Sequence, residues 1–234
     1  VRQGHVGGAA FIRDPNSYAL GVSGSWITQN YSASSAPAAL LSGESSGNLW
    51  RVGGFAEYYP SDSFTLAASV HYFSGSLPEV QITSPVPEFD QSGFELAAIA
   101  KLYPTNDLSL TARADILRST FRIANTADFD FNGYALSLEG EYLVPGSQLS
   151  MFAGGRYSDR LISLFDPVHM DFQDTQVYAG LKIAFGGQAS SSIAARDRSG
   201  TYDNTSVFLE KLPNMAASVD NTFVNAIASA PPPP

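Results

Sequence analysis

The side chains best equipped for chemistry sit at alternate positions in short apolar runs. Arg51 and Glu57 lie in "WRVGGFAEY", His71 in "SVHYFSG", Glu95 and Lys101 in "FELAAIAKL", and Arg113 and Asp115 in "LTARADIL". Glu139 and Glu141 follow in "LSLEGEYL", Arg156 in "AGGRY" and Lys182 in "AGLKIAF". Five acids thus stand against five fixed bases and one histidine. His71, with Ser69 two residues before it, has the residue types of a nucleophilic triad. No short motif accompanies them, so no catalytic residue is assigned. Interleaved acids and bases instead describe an ionic network that fills an interior, or a gate in which exchanging ion-pair partners opens a narrow path. The plug is the preferred reading.

A second set of carboxylates comprises Asp128 and Asp130, then Asp159, Asp166, Asp171 and Asp174 with His169. Such groups hold Ca²⁺ when spaced as in an EF-hand, which these are not; they read as solvated acidic loops. The absence of cysteine removes thiolate zinc sites and cysteine nucleophiles. Phosphate loops, dinucleotide fingerprints and nucleophile elbows are also missing. No metal and no cofactor is expected.

Alternation at period two means strands, which send successive side chains to opposite faces. Eight are predicted, at 17–29, 49–59, 64–74, 93–103, 108–118, 132–143, 148–159 and 175–185. "EYYPSDSFTLAASVHYF", "KLYPTNDLSLTARADIL" and "EYLVPGSQLSMFAGGRY" repeat one pattern: a strand reaches Pro60, Pro104 or Pro145, makes a short polar turn and enters the next strand. Between these hairpins lie longer segments, "YSASSAPAALLSGESSG", "SGSLPEVQITSPVPEFDQS", "IANTADFD" and "LISLFDPVHMDFQD". Short connections then gather at one end of a meander and long ones at the other, with both chain ends on the short-turn side.

The charged residues share one parity, and the other parity is apolar. Aromatics mark the ends of that apolar face, at Tyr18, Trp26, Trp50, Tyr58, Phe64, Tyr72, Tyr134, Tyr142, Tyr157 and Phe185, with Leu, Val, Ala and Gly between them. A soluble lipocalin-like barrel would turn the apolar face inward around a ligand; a membrane barrel would turn it outward. Girdles of aromatics belong to the second arrangement. So does a charged face that balances to zero within a chain of net charge -9, because a closed interior must pair its ions. That net charge argues against a nucleic-acid partner. No apolar run reaches the length of a transmembrane helix, and a first residue of Val1 is consistent with a removed secretory signal.

The alternating short and long connections, the eight strands and the last strand "TQVYAGLKIAF" closing on Phe185 resemble the small bacterial outer-membrane barrels typified by the OmpA transmembrane domain. The resemblance covers about residues 15–185 and is one of pattern. It implies an all-β, eight-stranded antiparallel up-and-down transmembrane β-barrel in the bacterial outer membrane. On that expectation residues 1–14 are an N-terminal periplasmic segment, 15–185 the barrel, and 186–234 a Ser/Pro-rich periplasmic tail that opens with the flexible linker "GGQASSSIAARDRSG". The expected role is non-enzymatic: structural, anchoring or surface-interacting, with outer-membrane lipid around the barrel and a protein partner engaged through the tail or the long loops. A narrow ion pore and a lipid-modifying outer-membrane enzyme are the alternatives.

Overall fold

The computed structural model describes residues 2–34, 42–77, 89–123, 128–165, 168–183 and 192–199. They form one antiparallel sheet of nine strands in sequence order: β1 (Arg2–Asp14), β2 (Tyr18–Ser34), β3 (Ser42–Ser61), β4 (Phe64–Leu77), β5 (Phe89–Thr105), β6 (Leu108–Ile123), β7 (Asp128–Leu143), β8 (Leu149–Phe165) and β9 (Val168–Ile183). A helix, α1 (Ile193–Ser199), follows.

The expected count of eight is corrected to nine. Residues 2–14 are a full strand, pairing with β2 from Arg2 opposite Asn30 to Asp14 opposite Tyr18. Small residues in "RQGHVGGAAFIRD" blunt its alternation, so the period-two signal is weak. The extra strand also moves the start of the chain: Arg2 lies at the long-connection end, not the short-turn side. The long connections are shorter than expected, because the flanking strands extend into them. β8 and β9 absorb nearly all of "LISLFDPVHMDFQD". Residues 78–88 of the Pro-rich loop and Phe185 lie outside the described residues. So does Asp166, and of His169 only the backbone is described.

The prolines that repeat in the sequence have a structural consequence. The β3–β4 register shifts between Tyr58 and Ser61, around Pro60, and the β5–β6 register between Leu102 and Thr105, around Pro104. Proline has no N–H to give the ladder, so it sits where pairing is interrupted and the strand bends toward its turn. Pro145 precedes Gly146, whose φ of 72° suits a glycine. Ser147 N–H donates to Val144 C=O across this turn at 3.1 Å, as a Pro-Gly β-turn requires.

The sheet curls with its charged parity inward. Arg51 on β3 reaches Glu95 on β5, and His71 on β4 reaches Ser23 on β2, each across an intervening strand. At the short-turn end α1 touches both sides of the curl. Arg198 donates to the carbonyls of Ser61 and Phe64, while Arg196 donates to Ser150 on β8. Inward glycines make room for large neighbours: a Cβ on Gly53 would meet Val70 O at 2.0 Å and the His71 ring at 2.6 Å. Among the described residues β1 and β9 are the sheet edges, and each pairs on one side only.

The segment read as a flexible linker holds α1. Ser192 caps it, accepting from Ala195 N–H at 3.1 Å, and Ile193 is buried against Tyr103 and Leu143. Burial pulls the Arg196 guanidinium down, but its hydrogen bonds with Glu141 and Asp197 outweigh this and hold it above its ordinary value. Ile193→Asp is expected to expel α1 by placing a carboxylate in that apolar pocket. Trypsin should then cut the folded protein after Arg196 and Arg198, bonds that stay intact in the unaltered chain under the same digestion.

Candidate functional site

The chemistry-bearing residues share the inner face of the curl, and that face is built in three levels. The middle level is ionic. Arg51 Nε donates to Glu95 at 3.0 Å, with side chains only 2% and 1% exposed. Arg113 grips Asp115 with both Nε and Nη2, at 2.7–2.9 Å. Arg51 Nη2 donates to His71 Nδ1 at 2.9 Å, and His71 Nε2 lies 2.8 Å from Ser23 Oγ. A guanidinium has no lone pair to offer, so Nδ1 is the acceptor and the neutral imidazole carries its proton on Nε2. His71 therefore donates to Ser23 and cannot take its proton. The serine bonded to His71 is Ser23, not Ser69, and the arrangement orients Arg51 rather than activating a nucleophile.

Toward the long-connection end the interior holds larger apolar side chains, with Gln91, Ser119 and Arg160 also buried there, which parity in charged residues alone did not show. Ile27, Leu49, Phe73, Leu117 and Phe131 are buried there, and Phe121 stacks edge-on to Phe131 at 5.6 Å. Toward the short turns, α1 occupies the mouth. Lys101 pairs with Asp197 at 3.0 Å and Arg196 with Glu141 at 2.7 Å. Lys182 bridges Glu139 at 2.9 Å and Glu141 at 3.0 Å.

All eleven residues of the expected network lie on the inward parity, and most pair with one another. Three depart from the expectation. Lys101 pairs with the helix, and Glu57 pairs at 3.4 Å with Arg13, which belongs to the strand that sequence reading missed. Arg156 forms no ion pair among the described residues. Arg160, Ser23, Arg196 and Arg198 join the inner set. Arg160 shares the parity of Arg156 and was legible on that ground, had the end of the seventh predicted strand not been set at 159. The acidic residues do not converge: Asp128 pairs with Arg122 at 3.0 Å, Asp130 accepts from Thr120, and Asp159 accepts from Tyr134 and Tyr157. Among the described residues no three His, Asp or Glu side chains are grouped to hold a metal ion.

The outer face is apolar and exposed. Val177 is 89% exposed and Leu138 69%, with Val22, Leu20, Val52, Leu66, Val70, Leu96, Leu110 and Ile116 also facing outward. Aromatics frame this band. Trp50, Tyr72 and Phe94 form a chain of ring contacts at 5.4 and 5.1 Å, and Tyr134 meets Tyr157 at 6.1 Å. Tyr18 and Trp26, Trp50 and Tyr58, Phe64 and Tyr72, and Tyr134 and Tyr142 are each eight positions apart on one strand. At about 3.3 Å per residue that is about 26 Å of strand. A tilt of about 40° reduces it to about 20 Å of height. Both rows slip toward the short turns from strand to strand. Trp26 is opposite Trp50, Tyr72 opposite Phe94 lies one inward-outward step lower, and Tyr134 lower again. A plane cutting tilted strands crosses their register in this way. The sequence matches no protein-family model and shows no significant similarity to any curated protein.

Proposed function

We propose that this chain is an integral outer-membrane protein whose nine strands form the wall of a transmembrane β-barrel with a plugged lumen. Its role on this reading is structural, anchoring or surface-interacting rather than enzymatic. The observation that carries the reading is the inversion of its two faces: charged side chains such as Arg51, Glu95 and Asp115 are buried on one while a band of Val, Leu, Ile and Ala is exposed on the other. In water that band would leave an apolar surface far larger than soluble monomers carry. In lipid it is the expected surface, and the aromatic rows fall where the interfaces would be. Their separation is comparable to the apolar band of about 25 Å that such barrels present.

The ionic network then serves as filling. Each ion pair inside a narrow barrel offsets the desolvation of its partners, and the apolar layer and α1 close the two ends. This favours a closed lumen over the narrow pore. The tautomer of His71 favours no enzymatic reading. With α1 seated in the mouth, whatever residues 200–234 bind is tethered to the membrane wall, which suits an anchor.

The purified protein is expected to require detergent and to migrate differently on a denaturing gel before and after boiling. Planar bilayers containing the folded form should stay electrically silent. A monodisperse protein in detergent-free buffer with no heat-dependent shift would sink the membrane reading and restore the soluble one.

A further inference from the structure

The inner face of β8 carries two arginines that the ionic network does not absorb. Arg156 and Arg160 lie four residues apart and share the inward parity of their strand, with Ser158 between them. Neither guanidinium donates to a described residue, and the Nε of each is shielded from solvent with no acceptor among those residues. Arg160 is 7% exposed and Ser158 only 3%.

A guanidinium keeps its charge wherever it is placed, so burying one without a counter-charge is costly. The other acids of the inner wall are committed: Glu57 to Arg13, Glu95 to Arg51, Asp115 to Arg113, and Glu139 and Glu141 to Lys182. Asp174, opposite Ser158 in the β8–β9 register, is the acid whose charge acts on Arg160. One carboxylate against two guanidinia still leaves this stretch of wall positive. On the β7 side Arg160 lies opposite Gly133, Ser158 opposite Ala135 and Arg156 opposite Ser137, small residues that carry no charge to balance it.

Arginine forks match both carboxylates and phosphates. The donor count favours phosphate. Two guanidinia and a hydroxyl spread over about 13 Å of strand offer more N–H and O–H groups than the two oxygens of a carboxylate can take up, whereas a phosphoryl group brings three oxygens and a larger charge. The interior is reached from the β1 side, where residues from Gly4 to Ile12 are exposed on both faces of the strand.

We propose that Arg156, Ser158 and Arg160 form a phosphoryl-binding site on the inner wall, taking inorganic phosphate or the phosphate of a lipid headgroup that enters beside β1. The site goes beyond the membrane reading, because it depends only on the burial of the inner face.

The test uses the full chain, purified in dodecyl maltoside and freed of phospholipid. Inorganic phosphate is titrated in at constant ionic strength against chloride and followed by calorimetry. The expected result is saturable uptake of one phosphate per chain, weakened about tenfold or more by Arg160→Gln or Arg156→Gln. Arg122→Gln should leave uptake unchanged, since that arginine is exposed and paired with Asp128. Asp174→Asn should tighten binding several-fold by removing a like charge. Micelles doped with phosphatidylglycerol in phosphate-free buffer distinguish the sources. One lipid per chain retained through gel filtration, lost in Arg160→Gln and accompanied by no uptake of inorganic phosphate, assigns the site to headgroups. If Arg160→Gln does not fold, the unaltered chain decides: phosphate or the lipid should raise its unfolding midpoint, as a ligand of the folded state must. Arg160→Lys, which keeps the charge but not the fork, should respond less. Uptake of neither probe, or uptake that both Arg→Gln variants leave unchanged, overturns the proposal. A protein that needs no detergent gives the same titration in plain buffer, so the failure of the membrane reading and the failure of this site are separate results.

Discussion

Glu95→Ala is expected to be the most damaging single truncation inside the wall, costing about 3–5 kcal/mol. The carboxylate it removes is the acid that Arg51 Nε binds at 3.0 Å, in a place where both side chains are almost wholly shielded. His71 remains beside the guanidinium but is a neutral acceptor and cannot balance its charge. The damage comes from the cation left behind, so removing both partners should be far milder. Arg51→Met with Glu95→Leu is expected to be neutral or to stabilise by about 1–4 kcal/mol. The measurement is the urea concentration at which vesicle-reconstituted protein loses its unboiled gel mobility. Equal midpoints for Glu95→Ala and the unaltered chain would mean that water reaches this pair.

Leu138→Arg is the second large effect and separates the two orientations of the sheet. Leu138 lies midway between Tyr134 and Tyr142 on β7 and is among the most exposed residues of the outer face. At the middle of a bilayer an added Arg costs about 2–4 kcal/mol, and near the interface about 0–1. Tyr58→Arg, at the edge of the band, should therefore be much milder than Leu138→Arg in the same assay. An outer face in water predicts no such depth dependence, because exposed substitutions there stay within about 0.5 kcal/mol. Equal, small effects at both positions would place the band in solvent.

Much of the arrangement is already legible from alternation. Arg51 and Glu57 share a parity within β3, Arg113 and Asp115 within β6, and Glu139 and Glu141 within β7, so a strand that turns one of each pair inward turns the other inward too. The prolines at 60, 104 and 145 marked three of the short turns because a residue without an N–H ends a ladder. The same logic missed β1, where Gly7, Gly8, Ala9 and Ala10 blur apolar against polar. It also misplaced α1, since Ser and Gly ahead of "IAARDRS" read as linker while the helix depends on a pocket made by Tyr103 and Leu143. Short helices seldom hold themselves together, and their formation is decided by what they pack against.

By itself, then, the sequence determined eight of the nine strands, their hairpin rhythm and which side chains travel together, because period-two alternation is a property of the local chain. Which face is inside, which acid meets which base, and where α1 seats were decided only by the tertiary structure. Those depend on curvature and on contacts between residues such as Arg51 and Glu95 or Lys101 and Asp197, far apart in the chain. Parity is symmetric between the two faces of a sheet; only curling it makes one of them an interior.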